Sequence, residues 1–273
     1  MENSVHQDSG SLTVEQAVAN LCGDDLGLRV YAAWWLGRFR VNAPEAINGL
    51  VTALEDEEDR TDAGGYPLRR NAARALGKLG DQQVVPALLT ALECSDFYVR
   101  EAAAQALESL GDQSSVPKLV ALLKDQVPGT LPALEPPYLA QPFDAIIEAL
   151  GRLGAEQTRA LIEPFLDHAV PRIQYAAMRA MYQLTPDPQI ACQYGDRLTQ
   201  ALLNDNLQLR RTVLADLGAI GYLPAAEAIA RTPAENSLKL IALQGVLEKH
   251  VAIADSDLSA DAIAVMTLMD SLL

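Results

Sequence analysis

Apolar residues recur along this chain with the spacing of amphipathic helices, and one short pattern returns at intervals. The segments LRVYAAWWLGRF, LRRNAARALGKLGD and VREAAAQALESLGD share the order apolar-Arg-x-x-x-Ala-x-x-Leu. Their equivalent leucines, Leu36, Leu76 and Leu107, have the spacing of repeated helix pairs. Shorter leucine-rich stretches, such as PALLTALEC and PKLVALLKD, predict the other helix of each pair.

Weaker copies, centred on Leu150, Met181 and Leu217 and followed by one from Leu238, bring the predicted pairs to about seven. The LGD triplets are stop signals, because Gly ends a helix in the left-handed conformation and Asp begins the next. We therefore expect an all-α, right-handed superhelical solenoid of about six or seven HEAT-like helix pairs over residues 13–254. Residues 1–12 are expected to form a disordered tail and residues 255–273 a capping helix.

Two segments interrupt the repeats. Residues 55–67, EDEEDRTDAGGYP, are acidic and end in a predicted turn. Residues 125–142 contain five prolines and cannot form one helix. Long loops inside a regular array are often functional, so binding and mere insertion both stay open for these two segments.

The charge excludes several classes of partner. The chain has 273 residues and a formal net charge of -15, which disfavours nucleic acid and anionic membrane surfaces. Cys22, Cys94 and Cys192 form no CxxC pair, so a metal site is not expected. An odd cysteine count without an apolar leader predicts a reducing, cytoplasmic setting. No run of 18 apolar residues predicts a membrane span.

The helix of each pair that begins at the Val-Arg step is expected to line a concave side. On the helix from Val99, Arg100, Glu101, Gln105 and Glu108 then point away from the core. The position of Gln105 holds different side chains in other copies, among them Trp34, Arg74, Glu148 and Arg179. A second shared position holds Arg29, Arg69, Arg100 and Arg210, preceded by Asp25, Asp96 and Asn206 in three of those copies. We interpret these as a structural Asp/Arg ladder whose guanidinium donors bind nearby carboxylates and carbonyls.

Both tryptophans stand side by side in the first copy. A helix cannot bury Trp34 and Trp35 on one narrow stripe, so one is expected in the core and the other exposed, for a ligand or partner. Ordinary core packing is the alternative. Arg70, Asn71 and Arg74 supply donors on the next helix, and Arg can grip a carboxylate with two hydrogen bonds. Their alternative is a solvated face paired with the acidic loop.

No catalytic signature of the common kinds is present. The sequence has no Gly-rich phosphate loop and no G-x-S-x-G, and His6, His168 and His250 are scattered. Any catalysis must therefore come from positioning and electrostatics.

Specific phrases go beyond a generic repeat. YAAWWLGRF, ECSDFYVRE, RIQYAAMRAMYQLT and LQLRRTVLADLGAIGYLPAAEAIA resemble the E-type subunits of the E/F heterodimeric phycobilin lyases, over roughly residues 11–273. Within that family the resemblance is to lyases of the phycocyanin α-subunit. It implies a homologous F-type partner and attachment of phycocyanobilin, through a thioether, to a cysteine of the apo-phycocyanin α-subunit. The reacting cysteine would belong to that substrate protein, in agreement with the missing nucleophile.

The resemblance also suggests roles for side chains, because a linear tetrapyrrole offers an apolar conjugated chain, propionates and pyrrole N–H groups. Asp144 and Glu148 are the candidate catalytic carboxylates. The candidate ligand-binding residues are Tyr31, Trp34, Trp35, Arg38, Arg70, Asn71, Arg74, Tyr98, Glu101 and Arg179. No metal or cofactor is expected, with phycocyanobilin as a bound substrate. The alternatives are a non-catalytic HEAT scaffold or chaperone for a phycobiliprotein subunit, or an unrelated HEAT adaptor.

Overall fold

A computed structural model describes residues 12–124, 140–251 and 258–273. These residues form fifteen α-helices and short 3-10 turns, with no strand among them. Residues 1–11 of the predicted tail and residues 125–139 of the proline-rich segment lie outside the described ranges. The chain divides into unit 1, which ends at Leu110, and unit 2, which begins at Gly111.

Unit 1 contains three helix pairs. Its helices are α1 (Val14–Leu21), α2 (Leu26–Arg38), α3 (Pro44–Ala53), α4 (Pro67–Leu79), α5 (Val85–Ala91) and α6 (Phe97–Leu110). The second helices of the pairs, α2, α4 and α6, pack directly against one another.

Unit 2 contains four further pairs and a final helix. Its helices are α7 (Val116–Lys124), α8 (Phe143–Arg152), α9 (Arg159–Ile162), α10 (Pro171–Leu184), α11 (Pro188–Ala201), α12 (Leu207–Ile220), α13 (Ala226–Arg231), α14 (Asn236–Val251) and α15 (Ala260–Asp270). Helix α15 falls in the segment predicted as a cap and packs against α13 and α14, with Ala262 and Val265 buried. The all-α fold of HEAT-type helix pairs is confirmed.

Small residues set the distance between neighbouring second helices. In unit 1 a Cβ added to Gly37 would lie 2.7 Å from the Cα of Ala75, and one added to Gly77 would lie 2.7 Å from the Cα of Ala106. In unit 2 the Cα of Ala180 lies equally close to a Cβ added at Gly151. The alanine-rich pattern of the sequence is therefore a packing requirement, because only Gly and Ala allow backbones to approach so closely.

The stop signals work as the sequence predicts. Gly80 ends α4 with a φ of 79°, in the left-handed region that favours glycine. Asp81 then accepts a hydrogen bond of 2.8 Å from the backbone N–H of Gln83 and starts the next turn.

The shared arginines are structural, as predicted. Arg100 donates to the carbonyl oxygens of Cys94 and Ser95 at 2.7 and 3.0 Å, and Arg210 donates to those of Asn204 and Asp205 at the same distances. The acidic residues before them act differently from a paired ladder. Asp25, for example, accepts the N–H of Leu28 at 2.9 Å and caps its own helix.

Candidate functional site

The exposed face of α2, α4 and α6 carries most of the predicted ligand-binding residues of unit 1. We call one position on these helices the Trp34 column, which holds Trp34 on α2, Arg74 on α4 and Gln105 on α6. Trp34 and Arg74 are exposed and Gln105 is half-buried. The face is therefore open to a ligand or to another protein.

The two tryptophans differ in exposure, as the sequence predicts. Trp34 is 45% exposed and its ring centroid lies 5.5 Å from that of Tyr31, which is 48% exposed. Trp35 is half-buried rather than a full core residue, and its ring lies 4.8 Å from that of Phe39. Tyr31 and Trp34 thus form a small aromatic surface in water, where a flat apolar molecule gains contact area.

Basic and aromatic groups continue this face on α4 and α6. The Arg70 guanidinium lies 5.9 Å from the centroid of the Tyr98 ring, within the range of a cation–π contact. Asn71 donates to the carbonyl oxygen of Pro67 at 3.0 Å, so its amide serves the helix itself. Arg74 makes no hydrogen bond or ion pair with any other residue of the described ranges, which leaves its five donors available.

Two further predicted ligand-binding residues of unit 1 are Arg38 and Glu101. Arg38 is exposed at the end of α2. Glu101, expected to point away from the core, is only 7% exposed, so that expectation was wrong. Its position on the helix matches that of Asp144 on α8, which is also buried; side chains there lie against other protein atoms rather than solvent.

The acidic loop of unit 1 binds other arginines than those predicted. Arg29 pairs with Asp56 and Glu58, and Arg69 pairs with Glu57. The Tyr66 hydroxyl and the Arg69 guanidinium lower the pKa of the Glu57 carboxyl, which therefore stays ionised in its ion pair. The interpretation in which this loop neutralises Arg70 and Arg74 is not supported, and the loop has a structural use.

The candidate catalytic carboxylates of unit 2 lie in a series of ion pairs between second helices. Asp144 on α8 is 3% exposed and pairs with Arg172 on α10. Glu148 on α8 lies 3.2 Å from the Nη1 atom of Arg179 on α10. Both carboxylates are thus oriented by arginines, an arrangement suited to accepting hydrogen bonds.

The sequence interpretation missed one member of this series. Asp216 on α12 is 2% exposed and its Oδ1 atom lies 3.4 Å from Nη1 of Arg179. A signal was present, because Asp216 stands in a column that holds alanine on four other second helices. This alanine column comprises Trp35, Ala75 and Ala106 in unit 1, and Ala149, Ala180 and Asp216 in unit 2.

Other site types find no support in the described residues. No group of three or more His, Cys, Asp or Glu residues within the described ranges is placed to hold a metal ion. Cys22, Cys94 and Cys192 are free thiols. None of the helices within these ranges combines the length and apolar character that crossing a membrane requires.

Family models match two parts of the chain. A model of HEAT repeats matches residues 61–133, and a model of the PBS lyase HEAT-like repeat matches residues 28–56. The second match covers most of α2 together with α3, and therefore includes the aromatic surface of Tyr31 and Trp34.

Relatives match over nearly the full length. A phycocyanobilin lyase subunit alpha from Microchaete diplosiphon is 72% identical over 276 residues, covering 100% of this chain and 94% of the relative. The protein of the same name from Pseudanabaena tenuis is 67% identical, with 97% of each chain covered. A solved structure of the complex of CpcE and CpcF of phycocyanin lyase from Nostoc sp. PCC7120 is similar with a TM-score of 0.88 and 55% identity, covering 100% of this chain and 99% of that chain. The chain thus belongs to the family of phycocyanobilin lyase alpha subunits.

Proposed function

We propose that this chain is the E-type subunit of a heterodimeric bilin lyase. With a homologous F-type subunit it attaches phycocyanobilin, through a thioether, to a cysteine of the phycocyanin α-subunit. The observation that carries the proposal is the 72% identity, over the whole chain, with a phycocyanobilin lyase subunit alpha. The partner is proposed because the similar solved structure is a complex of CpcE with CpcF.

The proposed reaction forms no covalent bond to this chain. A thiol of the substrate protein adds across a carbon–carbon double bond at a ring end of the bilin. A sulfur–carbon bond forms, the thiol proton goes to the neighbouring carbon, and nothing leaves. Positioning the two reactants and excluding competing thiols is then the main catalytic contribution. No metal or cofactor is required by this addition.

The face of unit 1 and the ion pairs of unit 2 have separate proposed roles. Tyr31 and Trp34 offer aromatic surface to the conjugated chain, and Arg74 offers donors to a carboxylate. Glu148, held by Arg179, is the carboxylate that accepts hydrogen bonds from pyrrole N–H groups. We place this reaction in the cytoplasm, where the three free thiols stay reduced.

Co-expression tests the function. The chain is produced with its F-type partner, a bilin-producing pathway and the apo α-subunit of phycocyanin. We expect a coloured, fluorescent band on a denaturing gel that requires both lyase chains. Co-purification with the α-subunit but no covalent adduct would instead identify a scaffold or chaperone.

A double variant tests the proposed contacts in unit 1. Trp34→Ala combined with Arg74→Ala should lower the initial rate of adduct formation by about tenfold, because an aromatic contact and a charge-assisted hydrogen bond are both lost. Ile190→Ala on α11 is the matched control, since Ile190 is also 45% exposed but lies on the first helix of its pair. An unchanged rate in the double variant would remove these residues from the bilin site.

A further inference from the structure

A groove lies over the second helices α12 and α14 of unit 2. Its volume is about 470 Å³, which is in the range of small-molecule sites. Ala215, Gly218 and Ala219 of α12 line it, together with Ile241 of α14. Ile241 is 63% exposed, so an apolar side chain faces solvent inside a concave surface.

The groove exists because α12 carries small residues where its neighbours carry large ones. Ala215 occupies the Trp34 column, which holds Glu148 on α8 and Arg179 on α10. Gly218 also lets α14 approach closely, since a Cβ added to Gly218 would lie 2.9 Å from the Cα of Ala242. Because Ala215, Gly218 and Ala219 carry no large side chain, α12 leaves a depression with an apolar floor.

Cationic side chains surround this floor. Arg152 at the end of α8 and Lys249 on α14 line the groove, and neither makes a hydrogen bond or an ion pair with another residue of the described ranges. Arg211 also lines it, but this arginine is held by Glu235. That contact lowers the pKa of Glu235 to about 2, so the pair stays charged at neutral pH. Arg211 therefore lines the groove with its charge already paired. Glu248 is the one carboxylate of the lining, and it accepts a hydrogen bond from the side-chain amide of Gln244 at 2.8 Å. Two unpaired cations, Arg152 and Lys249, therefore stand against one carboxylate.

Two other grooves of the described residues have the opposite charge. A groove of about 850 Å³ between α13 and α15 is lined by Glu227 and Asp261, against the single cation Arg231, which already pairs with Glu227. In unit 1, a groove of about 340 Å³ is lined by three glutamates and one arginine. Of these three grooves, in a chain with net charge -15, the α12–α14 groove has the excess of cationic side chains that suits an anion.

We propose that the α12–α14 groove binds a linear tetrapyrrole, whose two carboxylates pair with Arg152 and Lys249 and whose apolar edge rests on Ile241 and the floor of α12. Ligand and groove are complementary, because an elongated apolar molecule with two anionic groups meets an apolar depression with two unpaired cations. The proposal deepens the proposed function, on which it rests, and adds a subsite separate from the aromatic face of unit 1.

Equilibrium binding of phycocyanobilin to the heterodimer tests the subsite. Visible absorbance and the induced circular dichroism of the bilin report binding. The double variant Arg152→Ala with Lys249→Ala should raise the dissociation constant at least tenfold, since two charge-assisted hydrogen bonds are lost. Ala215→Phe fills the groove from an exposed position and should weaken binding to a similar extent. The matched control is Arg159→Ala with Arg231→Ala, which removes two exposed cations elsewhere in unit 2.

Retained helical circular dichroism and co-elution with the partner establish that each variant is folded. The proposal holds if both groove variants weaken binding while the control stays within twofold of wild type. It is overturned if either groove variant binds the bilin like wild type in a heterodimer that still forms the adduct. A wild-type heterodimer that neither binds bilin nor forms an adduct would instead refute the proposed function, and the subsite with it.

Discussion

The Trp34 column has opposite properties on α2 and α4 of unit 1 and on α8 and α10 of unit 2. In unit 1 it holds Trp34 and Arg74, which are exposed and available to other molecules. In unit 2 it holds Glu148 and Arg179, whose side chains are only 18% and 12% exposed and which pair with each other. One position of the same repeat therefore serves as an open surface on α2 and α4 and as an internal electrostatic network on α8 and α10, while on α12 it holds the exposed Ala215.

Packing between neighbouring second helices explains the difference. In unit 1 the alanine column meets a glycine of the preceding helix, as Ala106 meets Gly77, and no room remains for a buried partner. Between α10 and α12 the equivalent residues are Tyr182 and Asp216. These two helices pack less extensively than α8 and α10 do, and the space holds the contact of Arg179 with Asp216. A large residue at the glycine position thus permits a buried charge one helix later.

Moving the charge into unit 1 should have the largest effect. Ala106→Asp places a carboxylate against Gly77, where Arg74 is the equivalent of Arg179 but the helices are too close to admit the pair. We expect a loss of more than about 3 kcal/mol in the free energy of unfolding, measured by urea titration. Ala19→Asp at an exposed position of α1 is the control. A loss smaller than 1 kcal/mol would show that the close crossing is not what keeps this column uncharged.

Removing the charge from unit 2 should have a smaller effect. Asp216→Ala restores the residue type of the column but takes one carboxylate from a largely buried Arg179, which keeps Glu148. We expect the free energy of unfolding to fall by about 2 kcal/mol. The comparison variant is Arg74→Ala in unit 1, for which about 0.5 kcal/mol or less is expected at an exposed position. Equal losses from the two variants would contradict the contrast between the units.

Titration should show the smallest difference. Burial lowers the pKa of His168 from its ordinary 6.5, and its Nδ1 atom accepts the N–H of Val170 at 3.1 Å. Because the unfolded chain then binds the proton more readily than the folded one, the contribution to stability is complete above pH 6.5 and is lost as the pH falls. Unit 1 has no histidine among its described residues, so this effect belongs to unit 2.

His168→Gln, which keeps an acceptor for Val170, should reduce the drop in melting temperature between pH 7.5 and 5.5. The expected change corresponds to less than about 0.5 kcal/mol, because the group is partly exposed and solvent screens it. The same drop in variant and wild type would show that His168 does not contribute.

The helix pairs and the exposed tryptophan could both be predicted from the sequence because their signals are local. Helical periodicity and the Gly and Asp stop signals are local, and two adjacent tryptophans cannot share one narrow stripe. The acidic loop was harder to interpret: its charge was evident, but not that Arg29 and Arg69, rather than Arg70 and Arg74, bind it. The choice depends on where the loop returns to the helices.

The burial of Glu101 and Asp216 likewise depends on contacts between helices that the sequence does not reveal. Helical periodicity predicted that Glu101 points outward, and it is buried because neighbouring protein atoms cover that position. Asp216, like Trp35, interrupts a column of alanines, yet its partner Arg179 lies 37 residues earlier in the chain.

The amino-acid sequence by itself determined the helices, their pairing into repeats, the small residues at most crossings and the family to which the chain belongs. These follow from periodicity and from residue types that act over a few positions. Only the tertiary structure decided which charges neutralise one another and where a concave, cationic surface remains. The distances between side chains on different helices set both properties, and those distances depend on how closely each pair of backbones can pack.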